Sequence, residues 1–307
     1  MLCELAYAFP PRVADFLERD RNLKRNFREE SVTDLLIASL TALEKFGVRV
    51  DLPDEPTTGG DMEWIYVAPK EIGGGRYLRL IIQAKRAQYC RSNGGYWYYH
   101  HLDHGVPPGN QAQVLMSYAA SSAVGAATLP LYMFYHPASA LVAAQNNRPA
   151  IEGVNVVFAR LVAPIVQGGC KRSAKRVDSW RDNFMPLAEL LCWPVQVLGA
   201  SDPKAPSATN FMLGTQDFRL PTLGAAFHPD LVAGRMRRQA NRFGASRSMP
   251  QIEPAEGLPE DIRRGVEGVS TKEDRKVLHR PRVIFTTEIL RGSPEFAAAD
   301  EISRQRG

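Results

Sequence analysis

The sequence has few of the features that mark secreted, membrane-bound or zinc-binding proteins. Its 307 residues include four cysteines, widely spaced and without a CxxC pair: Cys3, Cys90, Cys170 and Cys192. This spacing predicts neither a zinc ribbon nor a disulfide framework, and it favours a reduced, cytoplasmic setting. No apolar run approaches the roughly 18 residues of a membrane helix. The first residues also lack the basic start of a signal peptide, so we expect no membrane partner.

Nucleotide-driven and cysteine-based chemistry are not indicated either. The glycine run at 73–75 lacks the lysine and the serine or threonine that complete a phosphate-binding loop, so no ATP-driven step is expected. Cys90 has no evident base partner in the sequence, and a cysteine nucleophile is therefore not expected.

What the chain does have is a moderate excess of positive charge. The formal net charge is +5, and 44% of the residues are apolar. The length of 307 residues suffices for one large domain, or for a catalytic domain with a second lobe. The charge favours an anionic partner such as nucleic acid. Basic clusters at 171–176 and 235–247 are either phosphate contacts or solvated surface. The oligomeric state stays open, a homo-oligomer included.

Hydrophobic periodicity predicts the order helix, three strands, helix and strand between residues 29 and 136. The predicted helices begin near Ser31 and at Gln111, the second capped by Asn110, and the predicted strands cover 48–52, 59–67, 77–86 and 130–135. Outside this core we expect helices at 12–28, 138–145 and 187–193, strands at 151–159 and 282–287, and long loops across 200–260.

Polar side chains in two neighbouring strands give the first sign of a site. Asp61 and Glu63 are two residues apart and share one strand face, as do Gln83 and Lys85. The glycines at 73–75 predict a hairpin that joins the two strands. Burying two acids, an amide and an amine in apolar strands costs free energy. This cost is the reason to regard them as a candidate site and not as ordinary core residues.

These residue types suit phosphodiester hydrolysis. The reaction needs an activated water, compensation of the charge at phosphorus and a stabilised leaving oxygen. Divalent cations held by carboxylate and carbonyl oxygens provide all three. A nearby lysine adds positive charge without being a ligand.

The segments Gly60-Asp61-Met62-Glu63 and Ile82-Gln83-Ala84-Lys85-Arg86 resemble the PD-(D/E)xK nucleases of the restriction-endonuclease-like superfamily. The Mrr-like branch, whose third motif commonly reads glutamine-x-lysine, is the most similar one. The resemblance covers roughly residues 29–136 and implies an α/β fold with an αβββαβ core, a mixed central sheet flanked by helices. It divides the chain into an N-terminal helical segment (1–28), a nuclease core (29–165) and a C-terminal extension for recognition, oligomerisation or regulation (166–307).

The resemblance also implies a role for individual residues and a cofactor, Mg²⁺ or Mn²⁺. Asp61 would be the main metal ligand, with the Gln83 side chain and the Ala84 backbone carbonyl completing the set. Lys85 would orient the water or stabilise the transition state. Glu30, in preference to Glu29, would match the first-helix glutamate of the family. Helix capping is the other role open to both glutamates.

Further residues are candidates for substrate binding. Gln111 or Gln113 would act by analogy with glutamines on the same helix in some members, and Arg86 and Tyr98 flank the catalytic strand. The Tyr96–Tyr99 cluster either stacks on bases or covers the sheet edge. His100, His101, Asp103 and His104 suit a transition metal, but their spacing favours a polar loop.

Two departures from the family pattern keep other functions open. Gly60 replaces the usual proline, and Gln83 is uncharged, although Glu63 could restore the missing charge. We expect a metal-dependent endonuclease acting on nucleic acid, double-stranded DNA in the first place, in defence against foreign DNA. The alternatives are a binding module of the same fold that has lost cleavage, an RNA-cleaving toxin-like nuclease, and a surface hairpin with a coincidental motif.

Overall fold

The structure is a computed structural model. It describes residues 2–20, 27–53, 61–68, 75–92, 94–106, 109–121, 127–167, 170–192, 227–244, 252–278, 280–289, 292–294, 296–297 and 300–301. Some residues used in the sequence predictions lie outside these ranges: the glycines at 59–60 and 73–74 that flank the predicted strands, and Arg247 of the basic cluster.

The described residues form both strands and α-helices, with seven consecutive strands between α2 and α3. The strands are β1 (Val48–Asp51), β2 (Met62–Ala68), β3 (Arg76–Arg86), β4 (Gln88–Cys90), β5 (Tyr96–Tyr98), β6 (Gly105–Val106), β7 (Gly109–Asn110), β8 (Thr128–Tyr135), β9 (Val154–Phe158), β10 (Met185–Pro186), β11 (Ala255–Glu256) and β12 (Arg282–Thr286). The helices are α1 (Leu2–Asp20), α2 (Glu29–Thr41), α3 (Gln111–Ala120), α4 (Ala159–Gln167), α5 (Ala188–Leu191), α6 (Pro229–Arg242), α7 (Glu260–Glu267) and α8 (Lys272–Val277).

The central sheet is mixed, as expected for the α/β class. Its strand order is β1-β12-β2-β3-β8-β9-β10, and β11 pairs with β3 beside this path. β12 runs parallel to β2, and β8 runs parallel to β3. The predicted hairpin is present, because β2 and β3 are antiparallel with Met62 opposite Ile82 and Trp64 opposite Leu80.

Alternation along β3 separates the two faces of this sheet. Leu78, Leu80 and Ile82 belong to the core layer that also contains residues of α1, α2 and α6. Ile81 belongs to the layer formed with α3 and α4. Helices therefore flank both faces. The odd-numbered residues of β3 share the second face, and Gln83 and Lys85 are among them.

The strand predicted near the C-terminus lies inside the sheet, between β1 and β2. Val283, Ile284 and Phe285 are at most 1% exposed. The division of the chain at residues 28 and 165 is thus not a division of the fold, since 166–307 supplies β10, β11 and β12 to the same sheet. Local sequence patterns reveal a strand but not its partner, which here lies 219 residues away for the Arg282–Glu63 pair.

Other predicted elements differ from those observed. α1 spans Leu2–Asp20 with Pro10 and Pro11 inside it, whereas the sequence predicted a helix at 12–28. The helix expected at 138–145 is a single 3-10 turn, Ala138–Ala140. α6 (Pro229–Arg242) lies where long loops were expected. Its Arg235 is buried and donates to the Glu189 carbonyl at 2.8 Å, so this part of the basic cluster is not solvated surface.

Two of the four cysteines are bonded to each other. Cys3 in α1 and Cys192 after α5 form a disulfide across a sequence separation of 189 residues, while Cys90 and Cys170 are free. The expectation that no disulfide forms was wrong for this pair, because the two cysteines meet only through the packing of α1 on α5. No helix in the described part of the chain is long and apolar enough to cross a membrane.

A buried histidine fixes the connection after β8. His136 is 0% exposed, and its Nδ1 donates to the Glu152 carbonyl at 2.6 Å. Its Nε2 accepts from the Tyr99 hydroxyl, also at 2.6 Å. The carbonyl can only accept, so the ring is the neutral tautomer with the proton on Nδ1. Burial lowers the pKa of His136 to about 4, against the raising effect of the Glu152 bond.

This shift predicts a loss of stability in mild acid. Between pH 6.5 and 4 the unfolded chain takes up a proton on His136 and the folded protein does not, so stability is complete above this window and falls as the pH drops through it. The loss at the acid end amounts to about 3 kcal/mol for this one group. Urea unfolding from pH 7 to 4 should show a weaker pH dependence for His136→Gln than for wild type and for the exposed-site control His104→Gln. Parallel curves for all three proteins would contradict the assignment.

Candidate active site

The site lies where the β2–β3 ladder ends. Asp61 precedes β2, and its backbone N–H still donates to the Ile82 carbonyl at 2.8 Å. The N–H group of Ala84, the residue of β3 after Gln83, donates to a side chain, Asp61 Oδ2. The Asp61 carboxylate thus lies at the end of the ladder, and the Ala84 carbonyl, which points to the same side of β3, lies beside it.

Gln83 brings its side chain to the same point. Gln83 Nε2 lies 2.6 Å from Asp61 Oδ2 and 3.3 Å from the Ala84 carbonyl oxygen. Gln83 is 1% exposed, and its Oε1 is buried without a hydrogen-bond partner among the described residues. Because amide nitrogen and oxygen are assigned from their contacts, half a turn of the amide places Oε1 against the two other oxygens.

The resulting donor set fits a hard divalent cation. A carboxylate, an amide oxygen and a backbone carbonyl oxygen would face one point, and Mg²⁺ and Ca²⁺ prefer such oxygen ligands. Within the described ranges no cluster of three or more histidine, cysteine, aspartate or glutamate side chains is placed for a metal. Of the three groups, only Asp61 belongs to those residue types.

The Asp61 carboxyl titrates at an unusual pH. Burial raises its pKa to about 6, and the Ala84 N–H bond opposes the rise. The charge on Lys85 also lowers the pKa, whereas Glu29 and Glu30 raise it. A carboxylate that is costly to ionise in its own surroundings gains from a nearby positive charge. The electrostatics of the site therefore favour a bound cation.

Lys85 is 3% exposed and lies on the same face of β3 as Gln83. Its Nζ is 3.7 Å from Glu29 Oε2, and Glu29 Oε1 accepts from the Arg86 backbone N–H at 3.2 Å. Glu30 is exposed. Glu29, and not the favoured Glu30, thus reaches the site. Successive helix residues are turned by about 100°, so the first residue of α2 faces the end of β3 and the second faces solvent.

Glu63 is paired with two arginines through its carboxylate. It is 4% exposed, and its two carboxylate oxygens bind Arg79 Nε at 2.9 Å and Arg282 Nε at 2.8 Å. Arg282 also binds Asp261 at 2.9 Å. The sequence placed Glu63 on the correct face but could not show the two arginines, one of which comes from β12.

Two of the residues expected to bind substrate have structural roles. Gln113 forms a capping box with Asn110, donating its backbone N–H to Asn110 Oδ1 at 2.9 Å and accepting from the Asn110 N–H at 3.1 Å. This confirms the predicted cap. The Arg86 side chain binds Asp20 Oδ2 at 2.8 Å and the Phe27 carbonyl, which fixes the end of α1 to β3.

The other two candidates, Gln111 and Tyr98, have few polar contacts with the rest of the described chain. Gln111 Oε1 is buried without a hydrogen-bond partner in the described part of the chain. Tyr98 is half-buried, with its hydroxyl 3.4 Å from His100 Nδ1. Its ring packs edge-on against Tyr96 and against His100.

The histidine loop behaves as a polar loop at the rim of the site. His100, His101 and His104 are exposed, and Asp103 binds Lys175 at 2.5 Å. Burial and the neighbouring His100 lower the pKa of His101, which also senses the charges of Glu29 and Lys85.

Two residues near Asp61 were not among the predicted site residues. Tyr132 of β8 lies opposite Gln83, is 0% exposed, and has a hydroxyl without a partner in the described ranges. Burial raises its pKa well above the usual range, and the charge of Asp61 adds to the rise. Arg280 precedes β12 and is 5% exposed. Tyr132 was hidden in an apolar run, and nothing in the sequence links Arg280 to Asp61.

These features define an α/β protein with a compact cluster of polar groups, Asp61, Gln83 and the Ala84 carbonyl, at the end of its central hairpin. The chain matches the profile of DUF6615, a family of unknown function, over residues 2–292 and belongs to that family. No curated protein matches the chain, and neither does any solved structure.

The buried position of Glu63 predicts a large effect on stability. We expect Glu63→Ala to lower the free energy of unfolding by about 3–5 kcal/mol, because two buried guanidinium groups lose their common partner. Asp15→Ala, at an exposed position of α1, serves as the control and should be near neutral. Urea unfolding measures both. Unchanged stability of Glu63→Ala together with weaker Mg²⁺ binding would instead make Glu63 a metal ligand.

Proposed function

We propose that the protein is a divalent-metal-dependent endonuclease that hydrolyses phosphodiester bonds in nucleic acid, with double-stranded DNA as its substrate. The observation that carries the proposal is the convergence of the Asp61 carboxylate, the Gln83 amide and the Ala84 carbonyl on one point. Lys85 follows directly on the same strand face. The resemblance to the PD-(D/E)xK pattern rests on these four residues.

The proposed fold is restriction-endonuclease-like. The elements α2, β1, β2, β3, α3 and β8 follow one another in this order, with the short strands β4 to β7 between β3 and α3, and this order supports an αβββαβ core. β2 and β3 form a hairpin, and β3 pairs in parallel with β8. The insertion of β12 between β1 and β2 would be a variation on that core.

Each side chain has a distinct task in this mechanism. Asp61, Gln83 and the Ala84 carbonyl would hold Mg²⁺ or Mn²⁺. The ion, when bound, would offset phosphate charge and make a water more acidic. Lys85 would hold the attacking water or a phosphate oxygen through its ammonium group. Glu29 orients that ammonium from 3.7 Å.

The direct test is cleavage by the purified protein. Plasmid, linear double-stranded DNA and RNA are incubated with Mg²⁺ or Mn²⁺, beside Asp61→Ala and Lys85→Ala. We expect metal-dependent cutting of DNA that falls by at least about 10³-fold in both variants. Asp15→Ala and Lys45→Ala, at exposed positions, are the matched controls and should cut like wild type. Binding of DNA without cutting, unaffected by the site substitutions, would refute the nuclease.

A binding module that has lost cleavage is the second candidate, because Gln83 contributes no charge to the cation. Gln83→Glu distinguishes the two functions. If wild type binds DNA without cutting it and Gln83→Glu cuts, the natural protein is a degenerate nuclease. Preferential cutting of RNA by wild type would favour the toxin-like alternative.

The two glutamates at the start of α2 form a matched pair for a second test. We expect Glu29→Gln to lower kcat/KM by about 10–100-fold, since Lys85 loses the carboxylate that orients it. Glu30→Gln, next to it but exposed, should stay close to wild type. Steady-state cleavage of a fluorescent duplex measures both, with thermal unfolding to check the fold. The reverse order of effects would restore Glu30 as the site residue.

The role in defence against foreign DNA belongs to this proposal and rests on the family resemblance. The cytoplasmic setting is also part of it; it was inferred from the cysteine spacing, and the Cys3–Cys192 disulfide weakens that support. A homo-oligomer is compatible with it.

A further inference from the structure

A row of polar side chains crosses four adjacent strands, β12, β2, β3 and β8. Gln83 lies opposite Tyr132, and the pairing of Met62 with Ile82 places Asp61 beside Gln83. The pairing of Arg282 with Glu63 likewise places Arg280 level with Asp61. Residues two apart in a strand share a face, so all four side chains belong to the same face of the sheet.

This row contains buried polar atoms that the described residues leave unsatisfied. Arg280 Nη1, Gln83 Oε1 and the Tyr132 hydroxyl each lie buried without a hydrogen-bond partner there. Buried polar groups in folded proteins are nearly always bonded, and exceptions need an explanation. Three such atoms around one half-buried carboxylate indicate that a ligand completes the row.

Arg280 differs from the two other arginines on this face. Arg79 and Arg282 both bind Glu63, at 2.9 and 2.8 Å. Arg280 packs over the Tyr118 ring at 4.6 Å from the ring centre, and its Nη1 has no such acid. Each of the two Glu63 carboxylate oxygens thus already has an arginine partner, and Arg280 is neither of them.

The ligand that suits a free guanidinium N–H next to a cation site is a phosphate. Arginine keeps its charge at neutral pH and matches the oxygens of a phosphate in geometry. With a divalent cation at Asp61, the cation, Lys85 and Arg280 would carry four positive charges against the two negative charges of Asp61 and Glu29. A phosphodiester brings one negative charge, and a second develops during hydrolysis.

We propose that Arg280 is a catalytic residue that donates from Nη1 to a non-bridging oxygen of the scissile phosphodiester. The inference rests on the proposed function. In the step it serves, a water oxygen bonds to phosphorus and the bond from phosphorus to the leaving oxygen breaks. One water proton passes to the leaving oxygen and the other stays with the phosphate monoester or solvent. Arg280 remains protonated throughout.

The consequence concerns the C-terminal part of the chain. β12 begins with Arg282, one of the two arginines that bind Glu63, and Arg280, the arginine that meets the phosphate, lies two residues before it. The site is then incomplete without residues 280–282, and the C-terminal region is part of the catalytic machinery.

The test compares Arg280 with Arg282, the first residue of β12, which lies two residues later and on the same face of the sheet. In Arg280→Met, kcat should fall by about 10²–10³-fold, with an unchanged or higher Tm, because an unsatisfied buried charge is removed. Arg280→Lys should keep part of the activity. Arg282→Met, the structural counterpart, should lower the Tm. The inference is overturned if the kcat of Arg280→Met stays within about threefold of wild type, because loss of a transition-state donor lowers kcat far more than that. A loss of activity that parallels a fall in Tm overturns it equally.

A binding measurement separates this inference from the proposed function. In the Lys85→Ala background with Ca²⁺, affinity for a linear DNA duplex is measured against salt concentration. Loss of one phosphate contact in Arg280→Met should reduce the slope of log K against log salt by about 0.9.

The outcomes are distinct. If wild type does not cut but the slope drops, the nuclease proposal fails and the Arg280 contact stands. If wild type cuts while slope and kcat are unchanged in Arg280→Met, only the inference about Arg280 fails. Absence of any DNA or RNA binding overturns both.

Discussion

The candidate site depends on one hydrogen bond, from the Ala84 backbone N–H to the Asp61 carboxylate. Through this bond the Asp61 carboxylate satisfies a backbone donor of β3 just beyond Met62 and Ile82, the last pair of the β2–β3 ladder. The same bond brings the carboxylate next to the Ala84 carbonyl and the Gln83 amide. A backbone requirement of the sheet therefore positions the oxygen atoms that would bind a metal.

The second constraint is the charge cluster around Glu63. This carboxylate is buried and ion-paired with two arginines from neighbouring strands, Arg79 and Arg282, and Arg282 also donates a hydrogen bond to it. Because a buried acid without partners would be very costly, the entry of β12 beside β2 stabilises the hairpin. The pairing that supports Glu63 also carries Arg280 to the level of Asp61. Folding of the C-terminal segment and assembly of the site are thus coupled.

Much of the core could be predicted from local patterns. Alternating polarity placed Asp61, Gln83 and Lys85 on one face, and the capping signal at Asn110 marked the start of α3 correctly. The choice between Glu29 and Glu30 could not be predicted, since it depends on how α2 is rotated against the end of β3. The structural contacts of Gln113 and Arg86 could not be predicted for a similar reason. Their partners, a helix cap and Asp20, become visible only in the fold.

The sequence by itself determined the α/β class, the central hairpin and the residue types that could bind a cation, because strand alternation and helix periodicity are local properties. Only the tertiary structure decided which strands are neighbours, that Cys3 meets Cys192, and that Glu63 serves stability. It also decided that Arg280 and Tyr132 join the row through Asp61 and Gln83. These contacts connect residues that are distant along the chain, and long-range pairing leaves no periodic signal in a single sequence.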